Sequence, residues 1–185
     1  MATQPRIEPT VEEDWDDETR ELLDRVGRLN VFTTVAHHPK LLKRWLVFGA
    51  HVLAKSSLPA RERELVILRV GWRCGSPYEF GQHTLIGERV GLTSEEIRRL
   101  AEPGSDGWSG RDATLIAAVD ELVDRQRITD STWTALGGEW STQQLLDLVF
   151  AVGQYVTTCM ALNTFGVVRD DGVPGFPEGT TGARS

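Results

Sequence analysis

The stretch WRCGSPYEFGQHTLIGERVGLTSEEI, Trp72 to Ile97, sets a cysteine, a tyrosine, a glutamate and a histidine within ten residues, directly behind an apolar run. Ser76-Pro77-Tyr78-Glu79 has the S-x-x-E pattern of a capping box with proline at the first helical position, so a helix starts there and runs to about Val90. Gly91 stops it, and Thr93-Ser94-Glu95-Glu96 caps a short successor through Ala101. Two capped helices so close together, with no alternating strand pattern between them, make this part of the chain helical.

The same reading extends outward in both directions. Upstream, Pro59 opens PARERELVILRVGW, four charged residues followed by a run so apolar that it must be buried on most sides, ending at Gly75. Before it, Pro39 opens a helix to near Ser56 whose Leu41, Leu42, Trp45, Leu46, Phe48, Val52 and Leu53 cover a broad face. Asn30 to His38 reads as a loop, and a first helix spans Thr10 to Val26, with Glu12, Glu13, Asp14, Asp16 and Asp17 where the helix dipole favours negative charge. Downstream, EPGSDGWSG is a loop. Ser109 to Asp112 repeats the capping pattern before RDATLIAAVDELVDRQR, a short segment covers Asp130 to Leu136, and Ser141-x-x-Gln144 caps QQLLDLVFAVGQYVTTCMALNTFGV. From Asp170 the Gly, Pro and Thr content predicts a flexible or extended arm. The expected organisation is all-α: an N-terminal helix and arm over 1–38, a helical domain over 39–169 and a tail over 170–185.

With 185 residues, 40% of them hydrophobic and 25% charged, the chain suits one domain with a continuous core. A net charge of -7 repels a phosphate backbone, so nucleic acid is not an expected partner. No apolar run is read as reaching the roughly 18 to 20 residues that span a bilayer, and the acidic N-terminus lacks a signal peptide's basic and apolar regions. No membrane partner is expected, and a cytoplasmic location follows. Cys74 and Cys159 form no CxxC pair, and in a reducing compartment both are read as thiols. There is no H-E-x-x-H, no paired CxxC and no glycine-rich phosphate loop, so neither a metal nor a nucleotide cofactor is expected.

Glu79 and His83 stand at i and i+4, on one helix face, and can meet. A carboxylate beside an imidazole holds its tautomer and raises its pKa, which makes the pair a candidate general acid/base. Glu79 also fits the local capping role. Glu64 lies where the charged start of its helix meets the apolar body; it either points inward toward a partner such as His83 or stays solvated in the run RERE. Cys74 precedes a helix start, which favours a thiolate, yet ends a buried run, which favours an inert packed cysteine; Cys159 reads as structural. Arg69, flanked by apolar residues, must bind an internal carboxylate or a substrate carboxylate. His37 and His38 adjoin a helix start, while His51 either reaches the same cleft or packs against it.

The segment RERELVILRVGWRCGSPYEFGQHTLIGERVGLTSEEI, and more weakly LLDLVFAVGQYVTTCMALNTFGV, resembles the carboxymuconolactone decarboxylase family, which includes the alkylhydroperoxidase D-like proteins. The resemblance runs from about Pro39 to Val168 and rests on E-x-x-x-H followed by G-L-T-x-E-E-I. It implies a helical bundle that assembles into homo-oligomers, trimers or hexamers, with sites near subunit contacts. In the hydroperoxidase branch a Glu on one helix, a CxxC at the next helix start and a His four residues later run a thiol relay. Here Glu64 and His83 fill the Glu and His positions, but Ser76 and Glu79 stand where the cysteines would be. The resemblance therefore implies a cofactor-free lyase or isomerase acting on a small carboxylated lactone, enol or related carbonyl compound. In that reading His83 protonates an enolate-like intermediate, Glu79 and Glu64 orient it, and Tyr78 donates to the oxyanion. Arg69 or Arg73 holds the substrate carboxylate, and His51 and Trp72 are further substrate-binding candidates. The rivals are a thiol-dependent peroxidase using Cys74 and a non-catalytic small-molecule-binding oligomer.

Overall fold

The apolar run around Arg69 becomes the centre of the fold. A computed structural model describes residues 4–183; the first three residues of the N-terminal arm and the last two of the tail lie outside the described residues. In chain order the helices are α1 (Asp17–Val26), α2 (Asn30–Val35), α3 (Pro39–Ala54), α4 (Ala60–Arg73), α5 (Pro77–Arg89), α6 (Ser94–Leu100), α7 (Gly110–Arg125), α8 (Asp130–Gly137) and α9 (Thr142–Phe165). No strand occurs among the described residues. Every residue of α4 from Glu64 to Trp72 is buried, because α5, α7 and α9 pack around it. Leu65, Val66, Ile67, Leu68 and Val70 are wholly inaccessible, and each such burial stabilises by roughly 2 kcal/mol.

Arg69 lies in this core at 0% exposure and belongs to the structure, not to a cleft. Its Nε and Nη2 donate to the two Asp120 carboxylate oxygens at 2.8 and 2.6 Å. The remaining N–H groups donate to the carbonyls of Leu100, Glu102 and Gly104, so all five donors are used. The internal carboxylate foreseen for Arg69 is thus Asp120. The arginine ties α4 to α7 and fixes the loop after α6.

The N-terminal part differs from expectation. The first helix begins at Asp17, because Asp16 caps it by accepting from the Thr19 N–H at 2.8 Å. Glu12–Asp14 form only a short 3₁₀ turn, and Trp15 is extended. The expected loop over Asn30–His38 contains helix α2. Here Leu22, Leu23, Ala36 and Leu42 form a second small core with Trp15, Phe32 and Trp45 packed on it. Ser109 makes no side-chain cap, whereas Thr93/Glu96 and Ser141/Gln144 close complete capping boxes.

Two further expectations are corrected. Helix α9 is long and apolar enough, by length and composition alone, to cross a membrane, but half of the qualifying window is buried inside the protein. Its Leu145, Leu148, Val152, Tyr155, Cys159 and Leu162 face the core, which accounts for much of its apolarity. The tail, read as a flexible or extended arm, runs through turns and is docked on the helices. Phe176 packs edge-on against Phe80 at 5.3 Å, and the Trp72 Nε1–H donates to the Thr181 carbonyl at 2.9 Å. Gly81 makes room for the crossing: a Cβ there would stand 1.9 Å from the Pro174 carbonyl oxygen.

Candidate active site

Helix α4 ends and α5 begins in one tight turn that decides where Glu79 points. Gly75, at φ 62°, takes the left-handed conformation that glycine tolerates best. The Gly75 N–H donates to the Trp72 carbonyl and the Ser76 N–H to the Gly71 carbonyl, at 3.0 and 2.9 Å, the paired bonds of a Schellman motif. The Ser76 hydroxyl accepts from the Glu79 N–H, but the return half of a capping box would need the Ser76 N–H, which Gly71 already holds. The Glu79 carboxylate is thereby left for other partners.

It turns to His83. Glu79 Oε1 lies 3.1 Å from His83 Nε2, and Glu64 Oε2 lies 2.6 Å from Nδ1. All three residues are buried, at 0% (Glu64), 4% (Glu79) and 6% (His83) exposure. The Arg63 Nε donates to the second Glu64 oxygen at 3.1 Å, and Tyr155 of α9 packs edge-on against the imidazole at 5.0 Å. Burial alone pushes the imidazolium pKa down, yet the hydrogen bonds and charges of Glu64 and Glu79 outweigh it and raise it to about 9. At neutral pH the ring is therefore a cation held between the two glutamates, with Nδ1 hydrogen-bonded to Glu64 and Nε2 at ion-pair distance from Glu79.

The relay ends at a cavity of about 310 Å³ between α2, α3, α5 and α9. Phe32, Trp45, Leu46, Leu53 and Ile86 form its apolar wall, and Glu79, His83, Gln82, Gln154 and Thr158 supply the polar side. Gly49 sits mid-way along α3 on this wall, where a Cβ would meet only Gln154 Nε2 at ordinary contact distance, 3.5 Å. Neither crowding nor backbone conformation requires glycine there, although a helix-interior glycine costs about 1 kcal/mol against alanine. Its absent side chain adds to the cavity.

The structure thus joins Glu64, Glu79 and His83 and separates the other candidates from them. Tyr78 borders the cavity, but its hydroxyl donates to Asp170 at 2.5 Å and accepts from the Val31 N–H at 3.2 Å. Burial and the Asp170 carboxylate push the phenol pKa up, so the group anchors the tail instead of serving an oxyanion. Arg73 pairs with Asp124 and Asp120. Trp72 is held to the tail, and half-exposed His51 faces Asp147 at 3.4 Å; none of the three lines the cavity. His37 bonds the Glu8 carbonyl, and His38 caps α3.

Cys74 lines a different and larger cleft, about 1190 Å³, under the tail. Cys159 lies against Cys74 and Ser76, and its thiol pKa is pushed well up by the Cys74 contact and by burial, the opposite of what a nucleophilic thiolate requires. Among the described residues, no group of three or more His, Cys, Asp or Glu side chains is arranged to hold a metal ion. The residues missed from sequence are Gly49, Trp45, Gln154 and Tyr155; a lone glycine in an apolar helix is the one signal that pointed to the first.

The fold and part of the sequence match known proteins. Residues 39–120 match the model of the carboxymuconolactone decarboxylase family. No curated protein matches the sequence significantly. A peroxidase-related protein from Silicibacter sp. TM1040 has the same fold, with a TM-score of 0.77 at 13% identity over 92% of this chain and 96% of that one. A protein of unknown function from Agrobacterium tumefaciens, described as an antioxidant-defence candidate AhpD, gives 0.68 at 17% identity over 74% of this chain and 94% of that one. The debrominase Bmp8, solved as a cysteine-to-alanine variant with 2,3,4-tribromopyrrole, gives 0.73 at 11% identity, covering 92% and 94%. At these identities the likeness is one of fold. The chain therefore carries, over α3 to α7, a segment that matches the carboxymuconolactone decarboxylase family, on a fold shared with AhpD-like proteins, and Cys74 and Cys159 form no CxxC pair.

Proposed function

We propose that the protein is an acid–base enzyme of the lyase or isomerase type, acting on a small enolisable carbonyl compound with its own side chains. The observation that carries this reading is the buried Glu64–His83–Glu79 relay at the wall of a substrate-sized cavity. Glu79 and the Nε2 edge of His83 exchange a proton with the bound molecule, Glu64 holds the ring from the far side, and Arg63 balances the second carboxylate. Because His83 is charged at neutral pH, the resting site can donate a proton and stabilise an enolate. The carboxylate clamp foreseen in Arg69 and Arg73 lies elsewhere, so support for a decarboxylase is weaker than support for proton transfer.

The test is proton exchange. In D₂O, 2-tetralone should gain deuterium beside its carbonyl faster with the wild type than without it. Glu79→Gln and His83→Gln should lose about 10²- to 10⁴-fold of that rate, and Cys74→Ala should keep it. A folded wild type that does no better than buffer sinks the reading. 4-Carboxymuconolactone, assayed beside the ketone, separates decarboxylation from simple enolisation. Self-association belongs to the same proposal: Phe48 of α3 and Phe150 of α9 pair at 6.1 Å, Val47, Val149 and Met160 on the same two helices are also exposed, and light scattering reads the mass directly.

A further inference from the structure

The charge and shape of the cavity discriminate among substrates more sharply than the relay does. No lysine or arginine occurs among the described residues that line it, and the one cation, His83, is already paired on both nitrogens with carboxylates. A carboxylate entering this space would leave water for an apolar wall, meet Glu79, and find no free cation. The other polar groups that line it, Gln82, Gln154 and Thr158, are neutral, and Gln82 Nε2 and the Thr158 hydroxyl already donate to Asp170 and to the Gln154 carbonyl. They give the lining no charge to hold a carboxylate. Trp45, Phe32 and Tyr155 offer aromatic surface for a flat ring. A volume of about 310 Å³ lies at the low end of the range for small-molecule sites and equals roughly ten waters, room for one or two rings.

From this geometry we infer that the site takes an uncharged one- or two-ring compound carrying an enol, phenol or ketone oxygen, and rejects its carboxylated analogues. The oxygen lies toward Glu79 and His83, and the ring occupies the space that Gly49 leaves on α3. Gly49 is the specificity-determining position: with no side chain, it admits the second ring. The inference rests on the acid–base reading for the orientation of the oxygen, but its size and charge selection stand on the cavity walls alone.

Calorimetric titration of the full chain with 2-naphthol and with 2-naphthoate tests it. The expected result is 2-naphthol bound at least tenfold more tightly. Gly49→Leu should weaken 2-naphthol at least tenfold with the thermal unfolding midpoint maintained, and Gly49→Ala, a smaller change, should do so to a lesser degree. Glu79→Gln should narrow the gap between the two probes by relieving the carboxylate, a change that loss of packing alone would not produce. Equal or tighter binding of 2-naphthoate overturns the inference, as does 2-naphthol affinity untouched by Gly49→Leu. The 2-tetralone exchange assay reads the other claim separately. Selective naphthol binding without exchange leaves this inference standing and removes the catalytic reading. Glu79-dependent exchange without selectivity does the reverse.

Discussion

Replacing Glu64 by glutamine tests the relay at its buried end. Glu64 Oε2 lies 2.6 Å from His83 Nδ1, and both side chains are almost wholly shielded from water. Burial depresses the imidazolium, and the two carboxylates overcome this to hold His83 at about 9. The unfolded chain titrates near 6.5. A pKa raised on folding contributes stability that is fully present below about pH 6.5 and is lost as pH rises through about 9. At about 1.4 kcal/mol per unit, the shift is worth about 3 kcal/mol. Glutamine keeps the shape and an acceptor for Nδ1–H but removes the charge, and an opposite charge at this range moves a pKa by about one to three units. It also strips Arg63 of its partner, which leaves a cation near the ring and acts in the same direction. In Glu64→Gln the His83 midpoint should therefore fall to about 7, and the pH-dependent stability to about 1 kcal/mol or less. Imidazole NMR between pH 5 and 10, with His83→Gln to separate its signals from those of His37, His38 and His51, reads the midpoint. Urea unfolding at pH 6 and pH 10 reads the stability. A folded Glu64→Gln protein whose His83 titrates where the wild type does would refute the argument that Glu64 sets the charge state.

Two further substitutions probe the surroundings of the site. Arg69→Met takes the bidentate donor from Asp120, which keeps only Arg73 Nε at 3.5 Å, and leaves the carbonyls of Leu100, Glu102 and Gly104 without theirs, so urea unfolding should show a loss of about 3 to 5 kcal/mol. The His83 midpoint should stay put; a mutant of unchanged stability with a raised KM would instead make Arg69 a substrate ligand. Gly81→Ala places a methyl group where the Pro174 carbonyl passes and should displace the tail, speeding tryptic cleavage after Arg169 while the helical circular dichroism is retained. Cleavage at the wild-type rate would show that the tail tolerates the methyl.

Much of the fold is readable from local signals because those signals have local causes. Proline at a first helical position, capping residues three apart and glycine after a helix end act within one turn, and α3 to α9 fall close to where such residues predict them. The N-terminal part was harder. Asn30–Val35 has no side-chain cap, and its helix is held by packing of Val31 and Phe32 on distant residues. The docked tail likewise depends on partners such as Tyr78, Gln82 and Trp72 that lie about ninety residues or more away in sequence. In the site, the spacing of Glu79 and His83 made one contact foreseeable, but Glu64 reaches His83 across two helices, and only the packing of α4 on α5 fixes that. Arg69 illustrates the reverse error: an arginine in an apolar run signals a partner, and nothing in the run says whether that partner is protein or substrate.

The turn between α4 and α5 shows how structural and functional roles are divided at one short sequence. Cys74-Gly75-Ser76 has to end one helix and start the next, and a capping box alone would have bound the Glu79 side chain to the Ser76 backbone. Gly75 changes the outcome, since its left-handed conformation brings the Ser76 N–H onto the Gly71 carbonyl and satisfies that donor from the preceding helix. Ser76 still caps the Glu79 N–H, so the start of α5 remains secured while its glutamate is free to face His83. Gly49 makes a similar trade on the opposite wall, where about 1 kcal/mol of helix stability is given up for open volume. Local rules therefore fail here at Glu79 and at Gly49, both of which line the same cavity, and such clustered departures are expected where selection acts on a site instead of on the fold.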